Sequence, residues 1–338
     1  MARRYSFTPR RAPVAARRDA SSLAILIPIV VAVALVGFGL TVAGGESSAL
    51  PGEGCSGDEC APIVAAATVA PIVAAATATP SPAVNFSAEP EDPPLVPAYA
   101  AAVIEASCGA TLYALNETLR LAPASLVKMM TAIVALERAA ADEIVEIVID
   151  GAALSLAVDA TAMGLMPGDR LPLIDLIYGL LLRSGHDAAL VIAEHVAGDE
   201  AAFVSLMNEK AATLGLSDTT FANVSGLDHP DQRISSLDAA LLGAELLKEP
   251  LLAEAVATAE YQPAWTRGPI ENLNLLLSNY PGAIGVKTGF TTDAGQTIVA
   301  AADRDGRRLI TSVLYSEDLY VDAAALLDWA FANTTPAC

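Results

Sequence analysis

Strand-like segments open and close the stretch from residue 100 to residue 315, and helical patterns fill the interval between them. Ala100–Ala106 and Thr111–Leu115 read as two strands across a turn at Ser107-Cys108-Gly109-Ala110. Near the other end, Gly295–Asp303 and Arg307–Tyr315 alternate around Asp305-Gly306, a strong hairpin signal. Between them, Ser125–Arg138 is an apolar helical pattern after Pro123. From Ile174 to about Lys248 the chain reads as mostly helical, with a capping box at Ser235-Ser236-Leu237-Asp238 and a stop at Pro250. A last helix, Leu319–Ala332, carries Leu326, Leu327, Trp329 and Phe331. The expectation is an α+β body, with a sheet assembled from both ends and a helical region inserted.

The apolar fraction of 54% is enough for a sizeable core. The formal charge of −20 is unevenly spread, because residues 1–20 hold six arginines and one acid, leaving −25 for the rest. A body this acidic repels phosphates and argues against nucleic acid as a partner. The basic tail, residues 1–21, precedes Ser22–Ala43, an uncharged and largely apolar stretch. About 20 apolar residues span a bilayer, and the arginine excess keeps the N-terminal side in the cytoplasm. We expect residues 22–43 to be a membrane anchor and the body to lie outside. The length of the run favours this over a cleaved signal peptide, for which Thr41-Val42-Ala43 would be the cleavage site. Residues 44–98 form an Ala/Pro-rich linker in which Ala-Pro-Ile-Val-Ala-Ala-Ala-Thr occurs twice, at 61–68 and 70–77. Residues 99–338 are then the folded domain, within which the motifs below fall. Cys55 and Cys60 can close a small loop in the linker, and Cys108 and Cys338 can pair if the C-terminus packs on the first strands; the spacing does not choose among the connectivities. No Cys/His spacing matches a zinc site, and neither a metal nor a cofactor is expected.

Three short motifs carry chemistry. Ser125 and Lys128 are three residues apart at a helix start, which puts both side chains on one face. A serine hydroxyl needs a base, and lysine serves as one only when burial or a nearby cation lowers its pKa. Ser-x-x-Lys also arises on ordinary helix surfaces, but this chain has only four lysines, and Lys128 and Lys287 both fall in motifs. Ser184-Gly185-His186 marks a break between helices; its hydroxyl can pass a proton, and its imidazole offers one donor and one acceptor on different ring atoms. A lone histidine is more often a helix cap or core residue. Lys287-Thr288-Gly289, followed by Phe290, sits on a strand pattern; the cation and hydroxyl suit a substrate carboxylate, and the glycine admits a substrate backbone. Main-chain N–H groups of Ser125 and Phe290 can form an oxyanion hole.

Ser-x-x-Lys, Ser-x-Asn and Lys-Thr-Gly elements in this order are those of penicillin-recognising serine acyl-transferases. Here His186 stands where that pattern has Asn. The surrounding blocks are Pro123-Ala124-Ser125 with Met129-Met130-Thr131-Ala132, Leu180-Leu181-Leu182-Arg183, Asp187-Ala188-Ala189, Met207–Ala211, Ser225-Gly226-Leu227-Asp228 and Gly285–Thr291. Together they resemble the serine D-alanyl-D-alanine carboxypeptidases, the low-molecular-mass penicillin-binding proteins, over about Ala100 to Phe331. The resemblance implies a β-lactamase/transpeptidase-like fold, a five-stranded antiparallel sheet flanked by helices with a helical subdomain. It implies an acyl-enzyme on Ser125, peptidoglycan stem peptides ending in D-Ala-D-Ala as substrate, and β-lactams as inhibitors. Lys128, Ser184 and His186 join Ser125 as catalytic residues; Lys287, Thr288, Gly289 and Phe290 bind substrate. Three other readings remain: a D,D-endopeptidase with the same site, a wall-binding homologue impaired at His186, and a β-lactamase-like hydrolase. Glu271-Asn272-Leu273-Asn274 is similar to the deacylating loop of the last, but it lies far after Ser184 and close before Lys287.

Overall fold

A computed structural model of the protein describes residues 92–338. The basic tail, the expected anchor at 22–43, the Cys55–Cys60 pair and most of the linker lie outside the described residues. No helix among the described residues is long and apolar enough to cross a membrane.

The first hairpin is β1 (Ala98–Glu105) and β2 (Thr111–Leu115), and a 3-10 turn, Ala124–Leu126, leads into α1 (Val127–Arg138). Then come β3 (Ile144–Glu146), α2 (Gly151–Ala157), β4 (Arg170–Pro172), α3 (Leu173–Leu182), α4 (His186–Ala197), α5 (Glu200–Thr213), α6 (Ser236–Leu246) and α7 (Pro250–Ala257). A two-stranded ribbon follows, β5 (Glu260–Tyr261) with β6 (Ile270–Glu271), and then the short α8 (Leu276–Asn279). The chain closes with β7 (Ala283–Thr291), β8 (Gly295–Arg304), β9 (Arg307–Ser316) and α9 (Leu319–Asn333).

The main sheet has five strands, all antiparallel, in the order β2-β1-β9-β8-β7. Ala100 faces Leu314 and Ile104 faces Ile310, so the N-terminal hairpin completes a sheet begun by the C-terminal strands. Asp305 and Gly306 have φ of 55° and 81°, the paired positive values that a type I′ turn requires. Both faces of the sheet are covered. Ala101, Val103, Ile298, Ala300 and Val313 join one core with Ala323, Leu327 and Trp329 of α9. Ala100, Ile104, Val299, Ala301 and Ile310 point the other way, into a core shared with α1, α3, α4 and α6. Successive strand residues alternate between these cores, as the pleat requires, and burial on both sides makes the strands apolar throughout.

The structure departs from the expected helices in three places. Ser125 lies in the 3-10 turn that precedes α1, one residue short of its N-cap. The segment 214–235, read as helical, is an irregular loop in which Asn223 and Gln232 bond main-chain groups in place of a helical ladder. Pro250 opens α7 at its first turn, where the missing N–H costs nothing. Half of the expected capping box forms: Ser235 Oγ accepts from Asp238 N at 3.1 Å. The Asp238 carboxylate instead accepts from Asp218 N and Thr219 Oγ1, which ties the loop to α6.

Cys108 and Cys338 form a disulfide across 230 residues. It staples the C-terminus to the β1–β2 turn, beside Arg307, whose guanidinium donates to Glu105 and to Thr334 O at 2.7 Å. Cys338→Ser is expected to lower the melting temperature by roughly 5–10 °C, since such a bridge contributes about 2–4 kcal/mol. Site chemistry at room temperature should survive, because neither cysteine lines the cavity described below. Scanning calorimetry with penicillin labelling checks both halves, and an unchanged transition would show that Arg307 alone holds the tail.

Candidate active site

Ser125, Lys128, Ser184, His186, Thr288, Gly289 and Phe290 meet around one cavity of about 670 Å³. Its walls come from four places: the 3-10 turn with α1, the α3–α4 junction, the strand β7, and the irregular loop at Ser225–Asp228. Val158–Thr161, after α2, close another side, and Leu273 and Tyr320 complete the rim.

Close packing of main chain makes this convergence possible. A side chain on Gly226, at φ 90°, would put its Cβ 1.9 Å from Ala124 O. One on Gly289 would come within 2.9 Å of Ser125 N. Both positions must therefore be glycine if β7 and the 225–228 loop are to press on the turn that carries Ser125.

Lys128 Nζ lies 3.0 Å from Ser125 Oγ. It also donates to the main-chain carbonyl of Ser225. The Lys128 side chain is buried, at 3% exposure. Burial first, and the neighbouring Lys287 charge second, hold its pKa well below the ordinary lysine value, while Asp187 pulls the other way. A lysine so shifted gives up its proton more readily than an ordinary one, which is what a general base for a neighbouring serine hydroxyl requires.

Ser184, at φ 58°, ends the α3–α4 junction, and Gly185 is the N-cap of α4. Ser184 Oγ, His186 Nδ1 and Ser225 Oγ are buried without a hydrogen-bond partner, and all three residues line the cavity. Buried polar atoms are ordinarily satisfied, so three unpaired ones on two walls of one cavity are available to what enters it. Burial, then the Lys128 charge, lowers the His186 pKa, against a raising effect of Asp187. The imidazole is therefore neutral at neutral pH.

Lys287 is placed differently from its neighbours. It is buried at 2% exposure, outside the residues that line the cavity, and donates to Thr288 O at 2.9 Å. Burial brings its pKa down to about 7. It acts on the cavity through its charge, felt by Lys128, while Thr288, Gly289 and Phe290 form the wall itself.

Several residues around the site carried no role in the sequence reading. Asp187 is fully buried, and its carboxylate accepts from the N–H groups of Met163, Gly164, Leu165 and Ala188, each at 2.9 Å. It thereby pins the loop after α2 to the start of α4. Thr161 adds to the joint, donating to Ser184 O at 2.7 Å and accepting through its carbonyl from His186 N at 2.8 Å. Asp228 accepts from Thr291 Oγ1 at 2.5 Å, joining the irregular loop to the end of β7. Ser225 and Asp187 stood in the motif blocks, but no spacing rule gave them a task. Glu271 is exposed and does not line the cavity, although Leu273 of the same run does.

A serine hydroxyl beside a buried amine, further unpaired polar groups and a strand edge with glycine at its closest approach define, with this sheet, the class of penicillin-recognising serine acyl-transferase folds. Residues 87–318 match the D-alanyl-D-alanine carboxypeptidase family, and the chain belongs to it. Among relatives, D-alanyl-D-alanine carboxypeptidase DacF of Bacillus subtilis is 31% identical over 70% of this chain. DacB2 of Mycobacterium tuberculosis is 35% identical, with 70% of this chain and 83% of that relative covered. The matched region spans 62% of the length of DacF and 62% of DacC of Escherichia coli. Among solved structures, the Streptomyces K15 DD-transpeptidase superimposes with a TM-score of 0.67 at 30% identity, over 71% of this chain and 99% of that one. The D-alanyl-D-alanine carboxypeptidase from Mycobacterium tuberculosis H37Rv gives 0.66 at 31% identity, over 74% and 99%.

Proposed function

We propose that the chain is an extracytoplasmic serine D,D-carboxypeptidase that removes the terminal D-Ala from peptidoglycan stem peptides through an acyl-enzyme on Ser125. The observation that carries this is the buried Lys128 amine 3.0 Å from Ser125 Oγ. Lys128 takes the hydroxyl proton as Ser125 Oγ attacks the penultimate D-Ala carbonyl carbon. The oxyanion is received by the N–H groups of Ser125 and Phe290, a role favoured by the close approach of Gly289 to Ser125 N. As the peptide bond breaks, the proton passes from Lys128 through Ser184 to the leaving amine. Water then cleaves the ester by the reverse sequence. Thr288, Gly289 and Phe290 receive the substrate's C-terminal end, and the nearby Lys287 charge favours its carboxylate.

Incubation with muropeptides tests the reading. Release of free D-Ala from pentapeptides is the expected product. Cleavage of cross-linked dimers without D-Ala release would make it an endopeptidase, fast turnover of penicillin a β-lactamase-like hydrolase, and absence of any acylation an impaired homologue.

His186 should give the reaction an acid limb. Its folded-state pKa is lowered, so the ring stays neutral until pH falls below the ordinary histidine range near 6.5. Protonation then removes its acceptor and adds a charge beside Lys128. The rate of acylation by a slow β-lactam is expected to fall at mildly acid pH, and His186→Asn to shift that fall to lower pH with activity kept or raised. Superimposable pH profiles would make His186 a bystander.

The Arg-rich start and the apolar run at 22–43 support a single-pass anchor in the cell membrane with the body outside. The Cys108–Cys338 disulfide suits an oxidising exterior. Protease added to intact spheroplasts should digest the domain, and a protected domain would reject this location.

A further inference from the structure

We propose that Gln232 is a positioning residue for the acylation step, acting through the Ser225 carbonyl on the base Lys128. The inference rests on the reading that Ser125 is acylated with Lys128 as its base.

An unprotonated lysine amine has two N–H bonds and one lone pair, and only the lone pair can take the serine proton. A carbonyl oxygen can only accept. The bond from Lys128 Nζ to Ser225 O therefore commits one N–H to the carbonyl. The lone pair is left with the other two staggered directions, one of which faces Ser125 Oγ at 3.0 Å. When the proton arrives, the amine becomes a buried ammonium, and the same carbonyl dipole already points at the new charge. An acceptor fixed in advance lowers the cost of making that charge in the transition state.

What fixes the carbonyl is a buried side-chain amide. Gln232, 1% exposed, accepts through Oε1 from Ala222 N and Asn223 N, both at 3.1 Å. Its Nε2 donates to Leu227 O at 2.9 Å and to Asn223 Oδ1 at 3.4 Å. One amide thus holds both ends of the turn that contains Ser225. Asn223 works from inside the turn: its Oδ1 accepts from Ser225 N at 3.2 Å and Gly226 N at 2.7 Å, and its Nδ2 donates to Leu227 O at 2.8 Å. Neither Gln232 nor Asn223 lines the cavity, so their contribution reaches the reaction only through the main chain.

The test is stopped-flow acylation by a fluorescent penicillin, with wild-type protein and Gln232→Met, across pH. The charged groups that act on Lys128 are Lys287 on β7 and Asp187 on α4, Lys128 in turn acts on His186 of α4, and all three are retained in Gln232→Met. The limiting acylation rate constant is expected to fall about tenfold or more, with the half-saturating penicillin concentration within about twofold of wild type. Because the carbonyl favours the ammonium, loosening it should also lower the Lys128 pKa, which, read in the His186→Asn background where the histidine limb is removed, moves the remaining acid limb to lower pH. A protein that is merely less stable loses labelled fraction without changing the rate constant or the limb, and that result would overturn the proposal. So would a wild-type rate constant. If Gln232→Met does not fold, Asn223→Ala, which frees the Ser225 and Gly226 N–H groups, must show the same slowed rate and shifted limb, and wild-type behaviour there overturns it. Failure of wild-type protein to label on Ser125 would instead sink the underlying reading.

Discussion

Ser125→Ala is expected to abolish covalent labelling by penicillin, and Lys128→Met to slow it by roughly 10²–10⁴-fold. Only the serine oxygen can carry the acyl group, so its loss leaves no slower route. On the proposed mechanism the lysine supplies proton transfer, and its removal leaves the oxyanion donors and the binding wall intact, hence a residual rate. Lys128→Met keeps the length and apolar stem of a side chain that is already buried. It also removes a buried amine that sits beside Lys287, which offsets the donor that the Ser225 carbonyl loses. Mass spectrometry of the penicillin-treated protein reads the outcome. An adduct on a serine other than Ser125, or full-rate labelling of Lys128→Met, would break the assignment.

Asp187→Ala is expected to cost roughly 3–5 kcal/mol and to lower the melting temperature by about 10 °C. Its carboxylate accepts from four main-chain N–H groups, at Met163, Gly164, Leu165 and Ala188, and is fully buried. Alanine leaves those donors in the interior without acceptors, and losing one partner of a buried bond costs more than the bond contributes. The loop that carries Val158–Thr161 into the cavity wall loses its attachment to α4. Amide hydrogen exchange at Met163–Leu165 should therefore quicken more than exchange in the sheet. A melting temperature within about 2 °C of wild type would show that other contacts hold this loop.

The sheet was legible because its strands are apolar and bounded by turn residues. β2 lies where its pattern put it, at Thr111–Leu115, and the Asp305-Gly306 turn has the conformation its residues prefer. The loop at 214–235 was not legible. Its order comes from Asn223 and Gln232 bonding to main chain, and such bonds leave no periodic trace. The ribbon of β5 and β6, with two residues in each strand, is likewise too short for any period to register.

For the site, the sequence by itself determined which chemical groups are available and in what order: Ser125 with Lys128, Ser184 with His186, and the edge from Lys287 to Phe290. It also determined that strands from both ends must meet, since each end offers part of a sheet. Tertiary structure alone decided what those groups are able to do. The proposed base, Lys128, owes its lowered pKa to burial beside Lys287, which is 159 positions away in sequence. Lys287 lies behind the cavity wall because β7 turns its side chain inward, and its neighbours Thr288 to Phe290 reach the wall in its place. Asp187 became a loop anchor and Ser225 an acceptor for Lys128 only when α4 and an irregular loop were packed against distant segments. Identity is carried by single residues, but ionisation and direction depend on burial and on neighbours that the chain brings together only by folding.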